Sequence, residues 1–219
     1  MKSTRNLIFD LDGTLIDSSR GVVESVNYAL RCADQAEQPA EIIKPYIGYP
    51  LRQMFADFSS VSGDLLYRHF QVKAAEVIVS SAEPLSGVEE TLEELYRRGY
   101  RMSIATTKIR AHLDGILDKL EWNRYFGSTV SGSDVSSPKP DPSAILLAME
   151  RLDCSANSTV MIGDTVNDIL ASQAAKVKVV AVPNPYGAEE NEKVARLTPD
   201  YSLSNIRELL DILPELDRG

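Results

Sequence analysis

The stretch RNLIFDLDGTLIDSS, residues 5–19, decides how the rest of the chain is read. A short apolar run from Leu7 to Phe9 is typical of a buried strand, and it ends at Asp10, with Asp12 two residues further on. In extended chain, side chains two residues apart point to the same side. Crowded like charges repel one another unless a positive group lies between them. The stretch therefore predicts a strand that delivers two carboxylates to a cation.

Strand patterns alternate with amphipathic helix patterns over most of the chain. Further strands are predicted at 100–106, 127–131, 159–162, 177–182 and 201–203, and helices at 88–98, 110–120 and 142–152. Nearly continuous apolar strands that alternate with helices are typical of a parallel sheet covered on both faces. We therefore predict an α/β fold with a doubly wound, Rossmann-like parallel sheet, whose ligands bind outside the carboxyl ends of the strands.

Residues 18–81 interrupt this alternation with helix patterns and no convincing strand. The predicted helices of this block are 20–32, 41–46, 51–58 and 64–79. A helical block between the first strand and the next helix indicates an insertion. We therefore predict a core domain of residues 1–17 and 82–219 and an α-helical cap domain of residues 18–81.

The composition excludes several classes of function. The formal net charge is −9, with 32 acidic against 23 basic residues, which argues against nucleic acid as a partner because phosphate backbones need a broad basic face. No apolar stretch reaches the length of a membrane span, so we expect no membrane partner. Cys32 and Cys154 lie far apart without metal-like spacing, which is typical of free thiols in a cytoplasmic protein.

Further polar groups follow the other predicted strands. Thr106 and Thr107 lie at the end of the second strand, and Asp164 and Asp168 follow the apolar run TVMI. Carboxylates that converge on one sheet edge require a cation, and hard oxygen ligands without a Cys/His cluster favour Mg²⁺. Lys139 lies between two prolines in SPKPDP, which indicates an ammonium held in place for an anionic substrate.

Four short motifs resemble those of one known superfamily. They are DLDGT at 10–14, IATT at 104–107, PKP at 138–140 and GDTVND at 163–168. In this order, at strand ends, they resemble the four motifs of the haloacid dehalogenase superfamily, and the helical insertion resembles its type 1 cap. The whole chain is most similar to the phosphoglycolate phosphatase-like members.

The resemblance implies a mechanism for the paired aspartates. Asp10 would be the nucleophile that forms an aspartyl-phosphate, and Asp12 the general acid that then serves as base. Mg²⁺ would be held by Asp10, by the backbone carbonyl of Asp12 and by Asp164. Asp168 would orient a ligand or a metal-bound water. Similar dehalogenases and phosphonate-cleaving members lack an aspartate at the place of Asp12, which favours phosphate-ester chemistry here.

The resemblance also assigns substrate contacts. Thr106 and Lys139 would hold the phosphoryl oxygens, and Thr107 offers a second hydroxyl. In similar proteins a loop like YIGYPLRQMF, residues 46–55, covers the active site and contacts the leaving group. Tyr49 and Arg52 are therefore candidates for contact with the leaving group of the substrate.

The sequence allows two interpretations of several other polar residues. Arg52 is as well explained by a solvated arginine on a helix as by a contact with the substrate. Lys108 and Arg110 could reach the phosphate or lie at a solvated helix start. His69 and His112 have no partner spacing and are predicted to be ordinary surface or helix-face residues.

The implied activity is a Mg²⁺-dependent phosphatase of a small phosphorylated metabolite, acting as a monomer or homodimer. Phosphoglycolate is the leading substrate. A sugar-phosphate phosphomutase is the alternative, although similar mutases usually carry valine at the position of Thr14. A pyrophosphatase or nucleotidase of the same family stays open. A non-catalytic binding protein is disfavoured, because such proteins typically lose the nucleophile or the lysine.

Overall fold

A computed structural model of the protein describes residues 5–216. One sheet contains six parallel strands in the order β5-β4-β1-β6-β7-β8. These strands are β1 Asn6–Phe9, β4 Arg101–Ala105, β5 Phe126–Val130, β6 Thr159–Gly163, β7 Lys178–Ala181 and β8 Tyr201–Ser202. Two further strands, β2 Ile16–Asp17 and β3 Glu83–Pro84, pair antiparallel in a separate ribbon. The predicted α/β fold with a parallel sheet is confirmed.

Strand β1 lies in the middle of the sheet, between β4 and β6, and all four of its residues are buried. Its side chains alternate between two apolar layers. Leu7 and Phe9 belong to one core cluster, and Ile8 belongs to the other. Because successive side chains of a strand point to opposite faces, an unbroken apolar run is what a strand buried on both faces requires.

The described residues contain ten α-helices. They are α1 Ser19–Cys32, α2 Ala40–Ile43, α3 Leu51–Phe58, α4 Gly63–Ser81, α5 Val88–Arg97, α6 Arg110–Lys119, α7 Ser143–Arg151, α8 Val166–Ala175, α9 Ala188–Arg196 and α10 Leu209–Leu216. None of these helices is long and apolar enough to cross a bilayer.

Helices α1 to α4 occupy the insertion, which leaves and re-enters the core through the ribbon of β2 and β3. The predicted helix at 41–46 is wrong in part, because α2 ends at Ile43 and a 3₁₀ turn follows over Lys44–Tyr46. Pro45 lies in that turn and has no N–H to donate to an α-helical ladder. The division into core and cap domains remains a prediction, and residues 1–4 and 217–219 of the predicted core lie outside the described part.

Most other predicted elements differ from the structure by one or two residues at their ends. The ribbon strands β2 and β3 were not predicted, because two residues cannot show a period-two pattern. Helices α8, α9 and α10 were not predicted either. In α8, alanine and serine fill much of the buried face, so large apolar residues do not mark it.

Candidate active site

The polar residues that follow three neighbouring strands meet at the carboxyl edge of the sheet. Asp10 directly follows β1 and donates its backbone N–H to the carbonyl of Ile162 at 2.9 Å. Thr106 follows β4 and donates in the same way to Val130 at 3.0 Å. Asp164 follows β6. Parallel strands end on the same side, so the fold itself gathers these residues.

Three buried carboxylates form a cluster at this edge. Asp10, Asp164 and Asp168 each offer an oxygen, and these oxygens all lie within 4.8 Å of one another. Asp10 is 3% exposed, and the other two are fully buried. Oxygen ligands from carboxylates, with no imidazole or thiolate in the cluster, suit a hard divalent cation such as Mg²⁺.

Lys139 lies between two of these carboxylates. Its Nζ is 2.5 Å from Oδ1 of Asp10 and 2.6 Å from Oδ1 of Asp168, and it also donates to the carbonyl of Ala105 at 2.9 Å. The side chain is 3% exposed, so Lys139 is not a solvated surface lysine. Three acceptors hold the ammonium in one place.

The carboxylates of the cluster carry more negative charge than Lys139 can offset. Burial raises the pKa of Asp10 to about 7, against the opposing charge of Lys139. Burial and the charges of Asp168 and Asp10 raise the pKa of Asp164 well above its ordinary value. Burial opposes the charged form of Lys139, yet the two neighbouring carboxylates raise its pKa. One lysine does not neutralise three carboxylates, so a bound divalent cation fits this donor set.

Each oxygen of the Asp164 carboxylate accepts a hydrogen bond that fixes its orientation. Thr14 donates its hydroxyl to Oδ1 at 2.6 Å, and Asn184 donates its Nδ2 to Oδ2 at 2.7 Å. Gly13 lies against the same carboxylate with φ of +85°, and a Cβ on Gly13 would lie 2.9 Å from Cγ of Asp164. The glycine of DLDGT is therefore needed for its backbone angle and for space.

Asp168 is both a cluster member and the first-turn residue of a capped helix. Its Oδ2 accepts hydrogen bonds from the backbone N–H of Thr165 at 3.0 Å and from the Thr165 hydroxyl at 2.7 Å. This capping box at the start of α8 leaves Oδ1 for Lys139. The sequence predicted that Asp168 orients a ligand, and the structure places it in contact with Lys139.

Asp12 points to a different environment from Asp10. Its Oδ2 lies 3.1 Å from Nζ of Lys108, and its Oδ1 accepts a hydrogen bond from the hydroxyl of Ser18. The side chain of Lys108 is 8% exposed, which excludes the reading as a solvated helix start. Arg110 instead pairs with Asp134.

A cavity of about 440 Å³ opens beside Asp12, between the insertion and the core. The predicted residues Thr107, Tyr49 and Arg52 line it, together with Lys108 and His112. Thr106 is buried at the end of β4, next to the carbonyl that Lys139 contacts. The structure thus divides the predicted residues between the carboxylate cluster and the cavity.

Tyr49 and Arg52 have partners that sequence alone did not predict. The Tyr49 hydroxyl donates to Oε1 of Glu190 at 2.6 Å, and the same oxygen accepts the backbone N–H of Val166 at 2.8 Å. Burial and the hydrogen bond to Glu190 raise the pKa of Tyr49. Arg52 is paired with Asp64 at 2.8 Å, and its side chain is 71% exposed. Tyr49 therefore joins the insertion to the core, and Arg52 lies at the cavity rim.

Sequence reasoning missed some residues of this site. Asn184 follows β7 at the same sheet edge, and that position after an apolar strand is the signal that could have found it. His112 is half-buried on the first turn of α6, where burial and the charge of Lys108 lower its pKa to about 4. Glu190 carries no local signal, because its partners come from the insertion and from α8.

Comparisons with known proteins point to one family. A family model described as haloacid dehalogenase-like hydrolase matches residues 7–182. Pyrophosphatase PpaX of Bacillus velezensis is 32% identical over 214 residues, which cover 96% of this chain and 97% of that protein. Pyrophosphatase PpaX of Bacillus cereus strain B4264 is 30% identical over 97% of this chain and 98% of its own.

Solved structures show the same fold. A haloacid dehalogenase-like hydrolase from Bacteroides fragilis is similar with a TM-score of 0.87 and 26% identity, over 94% of this chain and 100% of the other. A protein described as a predicted phosphoglycolate phosphatase from Haemophilus somnus has a TM-score of 0.86 and 25% identity, over 97% of this chain and 99% of its own.

Proposed function

The chain belongs to the haloacid dehalogenase-like hydrolases, and from that premise we propose that it is a Mg²⁺-dependent phosphatase of a small phosphomonoester. The observation that carries the proposal is the buried cluster of three carboxylates and one lysine, with a separate carboxylate, Asp12, facing a cavity. A negatively charged phosphoryl group can approach such a cluster only when bound cations offset its charge.

Asp10 is the proposed nucleophile. Lys139 holds its Oδ1, and the other carboxylate oxygen attacks phosphorus while the bond from phosphorus to the ester oxygen breaks. Asp12, in its acid form, gives its proton to the departing alkoxide. Lys108 and Ser18 keep the Asp12 carboxyl group turned toward the cavity, where the leaving group lies.

The second step returns the enzyme to its starting state. The carboxylate of Asp12 takes a proton from a water molecule, whose oxygen attacks phosphorus as the bond to Asp10 breaks. Asp10, Asp164 and the backbone carbonyl of Asp12 would hold Mg²⁺, with Asp168 beside them. When bound, that ion would offset the charge of the phosphoryl oxygens. Thr106 and Lys139 would contact the same oxygens.

Inorganic pyrophosphate is a second candidate substrate, because the relatives quoted above are named pyrophosphatases. The same two steps apply, with a phosphate as the leaving group. Phosphoglycolate is favoured by the resemblance and by the description of the Haemophilus protein. A phosphomutase would return the phosphoryl group to the substrate instead of to water, so isomer formation from hexose phosphates distinguishes it.

The decisive experiment measures phosphate release from phosphoglycolate, pyrophosphate, nucleoside monophosphates and hexose phosphates, with Mg²⁺ and with EDTA. Release should require the metal. Asp10→Asn should abolish release from every substrate, whereas Asp114→Asn, which changes an exposed carboxylate on α6, should not. Turnover by Asp10→Asn at the wild-type rate would remove Asp10 as the nucleophile.

A further inference from the structure

The cavity beside Asp12 differs in chemistry from the carboxylate cluster. Its walls are mainly apolar and aromatic, and they come from both sides. The insertion contributes Ile47, Leu51, Tyr67 and Phe70, and the core contributes Ile109 and Val135. Its volume of about 440 Å³ lies within the range of about 300–1,000 Å³ for pockets that enclose organic ligands. A glycolate or a second phosphate would leave most of it unfilled.

Two cations, Lys108 and Arg52, line this cavity among the described residues. Lys108 contacts Asp12 at 3.1 Å, and Arg52 contacts Asp64 at 2.8 Å. His112 lines the cavity too, and burial keeps its pKa near 4, so it is neutral at pH 7. Among the described lining residues, Arg52 lies at the rim in solvent and Lys108 is the one buried cation, so a leaving group with two or three negative charges would meet a single buried positive charge, which would not compensate its desolvation.

We propose that the leaving group is an uncharged alcohol that carries an apolar ring, so that the preferred substrate is a phosphomonoester of an aromatic or heteroaromatic alcohol. This inference rests on the proposed function and names its substrate class. The ring packs against the apolar and aromatic walls, and the ester oxygen faces Asp12. Both candidates named above, phosphoglycolate and pyrophosphate, then become poorer substrates than such an ester.

The expected selectivity follows from the area that the ring buries. Full burial of a phenyl-sized side chain is worth about 2 kcal/mol, which corresponds to about 30-fold in a rate or binding constant. Benzyl phosphate and ethyl phosphate are a matched pair, because their alcohols are similarly weak acids and differ in the ring. We expect kcat/KM to be about 30-fold higher for benzyl phosphate.

The test compares kcat/KM for benzyl phosphate, ethyl phosphate, phosphoglycolate and pyrophosphate with Mg²⁺. Benzyl phosphate should be the best of the four. A benzyl-to-ethyl ratio below about threefold, or a higher kcat/KM for phosphoglycolate or pyrophosphate, would overturn the inference and leave the phosphatase intact. Absence of metal-dependent release from all four would overturn the proposed function and the inference with it.

One variant tests the cavity wall directly. Ile109 lines the cavity and is the N-cap residue of α6, a position where serine is a better cap than isoleucine. Ile109→Ser therefore removes apolar wall without weakening the helix start, and the benzyl-to-ethyl ratio should fall to below about tenfold. Leu146→Ser changes an exposed apolar residue of α7 away from the cavity and should leave the ratio unchanged. A ratio that Ile109→Ser does not lower would contradict the assignment.

Discussion

Gly13→Ala should damage the active site through a single added methyl group. Gly13 has φ of +85°, a region that costs an L-residue about 1–2 kcal/mol. Its added Cβ would lie 2.9 Å from Cγ of Asp164 and would overlap Oδ2. Carbon atoms pack at about 3.5–4.0 Å, so the carboxylate has to retreat by roughly 1 Å. That movement strains its hydrogen bonds from Thr14 and Asn184.

The magnitude follows from these two costs. A displacement of about 1 Å at a catalytic group lowers rates by about 100-fold, so kcat/KM should fall by about that factor. Backbone strain plus about 1 kcal/mol for each of the two weakened hydrogen bonds lowers the free energy of unfolding by about 3–4 kcal/mol. Both values are measurable, by phosphate release with Mg²⁺ and by urea unfolding.

Gly99→Ala is the matched control. Gly99 has φ of +80°, and a Cβ there would meet nothing within 4 Å. It should therefore lose about 1–2 kcal/mol of stability from backbone strain alone and keep its kcat/KM. If Gly13→Ala retains activity within threefold of Gly99→Ala, the close approach of Gly13 to Asp164 does not matter for function, and the reasoning fails.

Three further predictions concern side chains. Lys139→Met should destabilise the apo protein by about 3–5 kcal/mol, because it leaves two buried carboxylates without their cation; unchanged urea unfolding in EDTA would contradict this. Tyr49→Phe removes the hydroxyl that donates to a buried carboxylate on α9, so KM should rise about tenfold with little change in kcat; a fall in kcat alone would point to a different role. Burial and the charge of Lys108 lower the pKa of His112 to about 4, so the unfolded chain binds the proton more readily and stability falls as the pH drops from about 6.5 to about 4. His112→Gln should lose less stability over that interval, as measured by thermal unfolding at pH 7 and pH 5, and an equal loss would refute the link.

Much of the fold could be predicted because its signals are local. The apolar run before Asp10 needs only its own residues to indicate a strand buried on both faces, and the same holds for the run before Asp164. The rule that parallel strands present ligands at their carboxyl ends then brought Asp10, Thr106 and Asp164 together without coordinates. Short elements without a full period, such as β2 and β3, gave no such signal.

The contacts around Asp12 could not be predicted in the same way. For Lys108 the sequence left two interpretations open, a contact with the phosphate or a solvated helix start, and a charged residue at a helix start is usually solvated. Its burial against Asp12 depends on how β4 and α6 sit beside the loop after β1. Likewise, the partner of Tyr49 comes from α9, at the far end of the chain, and depends on where the insertion rests on the core.

By itself the sequence determined the family, the sheet and the order of chemical groups along its edge, because strand periodicity, glycine and proline act on their neighbours in the chain. Only the tertiary structure decided which charge neutralises which. In the folded protein, Lys139 lies between Asp10 and Asp168, and Lys108 contacts Asp12 beside an apolar cavity. The physical reason is that burial and electrostatic pairing depend on distances between residues remote in sequence, and these distances exist only once the chain has packed.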